Sequence, residues 1–170
     1  MAFSSNPADI ALAAGRDGDE AYIWEAAMRL KQDRNDDVRT IGAQAIVNNS
    51  YADRSEIEIW LSNENSSEVR GWLILAIATT SGSSSLNFIN NKLRELEDSI
   101  GKAENLFFDA ALAIASNSRY YLLKIMMGLY DEDSEVSRIA ADLCRMLISQ
   151  DAKEELRFLD ILEGECRRLC

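Results

Sequence analysis

The sequence predicts an all-α chain. The expected architecture is an α-solenoid of about four antiparallel helical hairpins with a C-terminal capping helix, as one domain over residues 1–170. Three observations predict it. A helix start recurs with anchors 31, 37 and 30 residues apart, which leaves room for a second helix between copies. Strand signals are scarce, because no sustained period-two stretch stands between turn clusters. Pro7 is the single proline, so helices can run unbroken.

The recurring start is best seen in Asn35-Asp-Asp-Val-Arg39, Ser66-Ser-Glu-Val-Arg70 and Asp133-Ser-Glu-Val-Ser137. A weaker copy begins at Ala103-Glu-Asn-Leu106. With Val38, Val69, Leu106 and Val136 as anchors, Asn35, Ser66 and Asp133 stand three residues earlier. Their short side chains accept hydrogen bonds from the free amides of a first helical turn. Asp36, Asp37, Glu68, Glu104 and Glu135 follow in that turn, where the helix dipole favours negative charge. Apolar or small residues then fall mostly three, four, seven and eight positions after the anchor, on one helical face. Asp109 is the exception, in a place where the other copies have Ile41, Trp72 and Ile139.

An acidic cap, Val-Arg and an Ala-rich face resemble the HEAT repeat, especially the short bacterial HEAT-like form. Asp37-Val-Arg39 and Glu68-Val-Arg70 carry the resemblance, which covers roughly residues 21–150. Phe107 and Ser137 replace the Arg in the other two copies. The tetratricopeptide and ankyrin patterns are absent. An irregular helical bundle with good caps is the plain alternative.

Taken in order, Asn6, Pro7 and Asp9 read as a first helix start, ended by Gly15. Asp17 to Glu20 opens a helix running to Leu30, paired with one from Asp36 to Asn48. The next hairpin is Asp53 to Leu61 with Glu68 to Thr79. Residues 79–85, rich in Ser and Thr, read as a loop. Leu86 to Ile100 and Glu104 to Ser116 form the third hairpin. The fourth opens at residues 117–119 and carries Ser134 to Ser149 as its second helix. Asp151 to Leu169 reads as the final helix, with Leu156, Leu159 and Leu162 on one side and enough charge to cap a solenoid.

Charge and composition narrow the function. The chain carries 29 acids and 18 bases, for a net charge of −11. The excess is spread: 13 acids and 7 bases in residues 1–85, then 16 and 11 in the rest. Such a surface repels phosphate backbones and attracts basic partners. Acids that merely cap helices and keep the chain soluble explain the same count. No uninterrupted apolar run reaches the ~20 residues that span a bilayer, and residues 1–7 lack a signal-peptide pattern, so the expected compartment is the cytoplasm. There is no His, which removes the usual general base and most zinc sites. No glycine-rich phosphate loop is present. Cys144 reads as buried; Cys166 and Cys170, four apart, make a weak metal site at most. No enzyme, cofactor or metal is therefore expected.

The candidate partner-binding residues are Asp36, Asp37, Glu68, Glu104, Asp109, Glu135, Trp72, Tyr120 and Tyr121. Asp109 needs a partner or access to water. Arg70 or Arg138 would pair it across repeats; otherwise it serves as a binding acid on the concave face. Trp24, Trp60 and Trp72 suit either a repeat core or an interface, with the core favoured. Tyr120 and Tyr121 cannot both face inward on a helix, so one is expected at the surface. The HEAT-like resemblance implies that the second helices line the concave side. It also implies a role such as immunity, in which an acidic inhibitor blocks a basic toxin, for example a nuclease. A general adaptor and a bilin-lyase-like HEAT subunit are the alternatives. A HEAT-like DNA glycosylase would need a basic groove.

Overall fold

A computed structural model describes residues 19–148 and Arg168. The expected first helix from Asn6 and the final helix from Asp151 lie outside the described residues, as do Cys166 and Cys170. The described chain is all-helical. It runs α1 (Glu20–Leu30), α2 (Asp36–Ala45), α3 (Arg54–Asn63), α4 (Ser67–Ser81), a 3-10 turn (Gly82–Ser85), α5 (Leu86–Glu95), α6 (Lys102–Ser116), α7 (Arg119–Gly128) and α8 (Ser134–Ile148).

Local chemistry sets most starts. The side chains of Asp19, Asn35, Asp53, Ser66 and Asp133 each accept a hydrogen bond from an amide of the following first turn. The ends follow equally local rules. Asn48 and Asn117 adopt left-handed backbone, with φ of 60° and 53°, a conformation that Asn tolerates. Asn48 closes the turn after α2, and its amide donates to Thr79 Oγ1 at 2.9 Å, so α2 stops at Ala45 rather than at Asn48.

Three expected boundaries move for similar reasons. The Ser/Thr stretch 79–85 is no loop: α4 runs on to Ser81 and the 3-10 turn leads straight into α5. The hydroxyls of Ser84 and Ser85 donate to the carbonyls of Ser81 and Gly82 at 2.7 and 2.6 Å, and Gly82 takes φ of 55°. Helix α6 begins at Lys102 after Gly101, two residues before Glu104, without a side-chain cap. Helix α5 stops at Glu95 instead of Ile100.

Packing follows chain order. Helix α1 lies on α2, α3 on α4, α5 on α6 and α7 on α8, while α2, α4, α6 and α8 pack in series. Helix α6 also packs on α7, and its contact with α4 is the most extensive. Residues 71–78 of α4 and 106–113 of α6 are all buried, so these two helices are apolar around most of their circumference. Gly71 makes their close approach possible, since a Cβ there would stand well inside 3.0 Å of the Phe107 ring. Trp72 meets that ring edge-on, with centroids 5.0 Å apart. Residues Ser67–Glu95 are long and apolar enough to cross a membrane, with an 18-residue window of mean hydropathy 1.2, but half of that window is buried inside the fold. The 3-10 turn interrupts the same stretch.

Candidate interaction site

The starts of the even-numbered helices lie along one edge, and ion pairs tie them together. Arg39, at the start of α2, makes two hydrogen bonds of 2.9 Å to Glu64, just before α4. Arg70 of α4 pairs with Glu104 of α6 at 3.0 Å. Arg138 of α8 reaches Glu68 of α4 at 3.3 Å, although a whole hairpin separates the two in sequence. An arginine soon after one helix start thus meets an acid near another, as the planar guanidinium favours.

Glu64 is the hub of this edge. Its side chain is 3 % exposed and accepts from Arg39, from the backbone amides of Asn65 and Ser66, and from Trp60 Nε1. Burial alone would push its carboxyl up, but the donors from Arg39, Ser66 and Trp60 outweigh it and hold the group below the usual range. A pocket of about 410 Å³ opens beside it, lined by Lys31, Arg39, Trp60 and Asn63 among others. Its charged floor is already satisfied, since Arg39 also donates to the Asp33 carbonyl and to Asp36. Nothing in the sequence singled out Glu64, because its charged partner, Arg39, stands 25 residues away.

The expected binding residues divide sharply. Asp36, Asp37 and Glu135 are exposed. Glu68 is partly covered and paired with Arg138. Glu104 is buried at 5 % exposure and spent on Arg70, and Trp72 is buried at 4 %, so neither offers a surface to a partner. Trp60 is likewise buried. Tyr120 is 60 % exposed, while Tyr121 packs against the core.

Asp109 corrects a specific expectation. Neither Arg70 nor Arg138 pairs with it, since both are engaged elsewhere. Burial pushes its carboxyl up to about 6, against the opposing pull of Lys124 on α7. The Lys124 ammonium lies over the Tyr120 ring, 4.9 Å from its centroid. The four-residue spacing of Tyr120 and Lys124 on one helix is the signal that would have found this pair. Cys144 is buried as expected, and burial pushes its thiol up to about 11.

No protein-family model, curated protein or solved structure matches this chain significantly. The arrangement itself offers acids at one edge and an aromatic patch on α7, groups suited to holding a basic surface.

Proposed function

We propose that the chain is a non-enzymatic protein-binding module, a HEAT-like α-solenoid of about four hairpins that acts in the cytoplasm as an immunity-type inhibitor of a basic toxin. The packing of each odd-numbered helix on its successor, with the even-numbered helices in series, supports the solenoid reading. The absence of His from the sequence supports a role without acid–base catalysis. One observation carries the binding reading. Asp36, Asp37 and Glu135 stay exposed at the starts of α2 and α8, helix ends that the ion pairs draw onto one edge, in a chain of net charge −11. A basic partner meeting that edge gains attraction at a distance and correct orientation on arrival.

The test is a capture experiment at low salt from a lysate of the source organism, repeated with Asp36→Lys, Asp37→Lys and Glu135→Lys combined. Glu68 is left native because reversing it would break its bridge to Arg138, which ties α8 to α4, whereas Asp36→Lys loses only an exposed contact with Arg39, which keeps Glu64. The expected result is a basic protein retained by the native chain, released by salt, and lost with the triple variant. Equal retention by the variant, with the same salt dependence, overturns the acidic-edge reading. The captured protein's own activity then separates inhibition from an adaptor role: an inhibitor suppresses it on binding, and an adaptor leaves it intact.

A further inference from the structure

Among the described residues, three arginine–acid pairs join the starts of the even-numbered helices, and one is unlike the other two. Arg39 and Arg70 each stand one residue after a repeat anchor, Val38 or Val69. Each meets a buried acid: Glu64, 3 % exposed, at 2.9 Å, and Glu104, 5 % exposed, at 3.0 Å. In α8 Ser137 takes that place, and the arginine comes one residue later, as Arg138. One residue is about 100° around a helix, so Arg138 is turned out of the position that its two counterparts use. Its side chain is 50 % exposed and reaches past α6 to Glu68 of α4 at 3.3 Å. An exposed pair of this kind adds little to stability, so holding the fold together does not account for it.

What the pair does change is the acidic edge. Asp37 on α2 and Glu135 on α8 are exposed, and Glu68 on α4 stands between them in the series of even-numbered helices. Arg138 neutralises that central acid in the free chain. The same guanidinium has a second acceptor on its own helix, since Nη1 donates to Asp142, one turn on, at 3.4 Å. Released from Glu68, it keeps an ionic partner.

We propose that Arg138 is an autoinhibitory cover on the acidic edge, holding Glu68 until an arginine of the basic partner takes its place. The inference rests on the binding reading above and concerns how strongly that edge grips. The exchange puts one guanidinium in place of another, so Glu68 is never left bare. Both hydrogen bonds from Arg138 to Glu68, 3.3 and 3.4 Å, are longer than the ordinary N–H···O bond, so little is lost on release. The place of Glu68 midway along the edge makes its cover count, because central contacts carry most of an interface's binding energy.

The experiment titrates the full chain with a hexa-arginine peptide at low salt, comparing Arg138→Gln with Arg119→Gln. Arg119 is exposed at the start of an odd-numbered helix, α7, away from the acidic edge. Both variants remove one positive charge, so a pure net-charge effect strengthens both equally. The expected result is about fivefold tighter binding for Arg138→Gln, the value of one exposed charge pair, and under about twofold for Arg119→Gln. Adding Glu68→Gln to Arg138→Gln should abolish the gain, whereas Glu68→Gln alone should change binding by under about twofold, because that acid is already covered. Equal gains for the two arginine variants, or a gain that survives Glu68→Gln, overturn the cover and leave the acidic edge standing. NMR of the native chain supplies a readout that needs no variant: saturating peptide should shift the Arg138 side-chain N–H and Glu68 carboxyl-carbon signals. Signals that stay in place also overturn the cover. If neither the native chain nor Arg138→Gln binds the peptide, the edge reading falls and the cover with it. The same holds if the Asp36→Lys, Asp37→Lys and Glu135→Lys chain binds as tightly as the native one.

Discussion

Replacing Gly71 by alanine tests the packing on which the fold turns. An added Cβ would stand well inside 3.0 Å of the Phe107 ring, and that ring is fully buried and held edge-on by Trp72. Overpacking a core in this way costs typically about 1–3 kcal/mol and sometimes more. Alanine also gains about 1 kcal/mol over glycine in a helix interior. The steric cost wins, because the obstacle is a braced ring and not the loose end of a flexible side chain. A net loss of about 1–2 kcal/mol is expected, or a fall in Tm of roughly 2–8 °C for a chain of this size. Gly42→Ala is the control. It lies inside α2, and its Cβ would meet Leu30 at 3.2 Å and Trp60 at 3.4 Å, distances that a small shift absorbs. The propensity gain is common to both variants, so their difference isolates the steric part. Urea and thermal melts followed by circular dichroism provide the measurement. A Gly71→Ala chain as stable as Gly42→Ala would refute the reasoning. Phe107→Leu added to Gly71→Ala should recover part of the loss through a coupling that a double-mutant cycle detects.

Further expectations concern the charged and thiol groups. Glu64→Ala leaves Trp60 Nε1 without an acceptor and takes from Arg39 its buried carboxylate, though the Asp33 carbonyl and Asp36 remain to it. It should cost about 1–3 kcal/mol by urea melt, whereas Asp36→Ala, at a side chain 66 % exposed, should cost under about 1. Asp109 holds its proton up to about pH 6 in the folded chain, above its ordinary 3.8. The folded state therefore binds that proton more tightly than the unfolded state; the stabilisation is full below pH 3.8 and lost as pH rises through 6. Asp109→Asn should accordingly gain about 1–3 kcal/mol relative to the native chain between pH 4 and pH 7, and a difference independent of pH would refute the assignment. In a Cys166→Ser/Cys170→Ser background, Cys144 should resist alkylation until the chain unfolds, because burial raises its thiol to about 11. Labelling at the rate of a free thiol in native buffer would contradict its burial.

Much of the local structure was legible. Asn35, Asp53, Ser66 and Asp133 cap the helices expected of them, because a cap is a hydrogen bond reaching two or three residues along the chain. The third copy was misplaced by two residues because Gly101 offers no side-chain acceptor to mark the start. The Ser-rich stretch 79–85 misled for the opposite reason: polar composition indicates a loop, but these hydroxyls bond back onto the carbonyls behind them and continue the helix. Within the candidate site, Asp36, Asp37 and Glu135 were expected at the surface and lie there, and of Tyr120 and Tyr121, one of which was expected there, Tyr120 is the exposed one. Glu104 was expected there too, since an acid in a first turn is usually solvated, but it is buried, and only the approach of Arg70 from a neighbouring helix accounts for that.

The sequence by itself determined the helical class, the positions of the capped starts, the apolar faces and the acidic balance. Each follows from short-range hydrogen bonding, 3.6-residue periodicity or a count of charges. Only the tertiary structure decided which arginine meets which acid, why Glu68 is bridged by Arg138 from beyond an intervening hairpin, and why Asp109 is buried without an arginine partner. Those outcomes depend on the offset and depth at which neighbouring helices pack. Side-chain volumes at positions such as Gly71 and Phe107 set that offset, and a difference of a few ångströms between helices selects one ion partner over another.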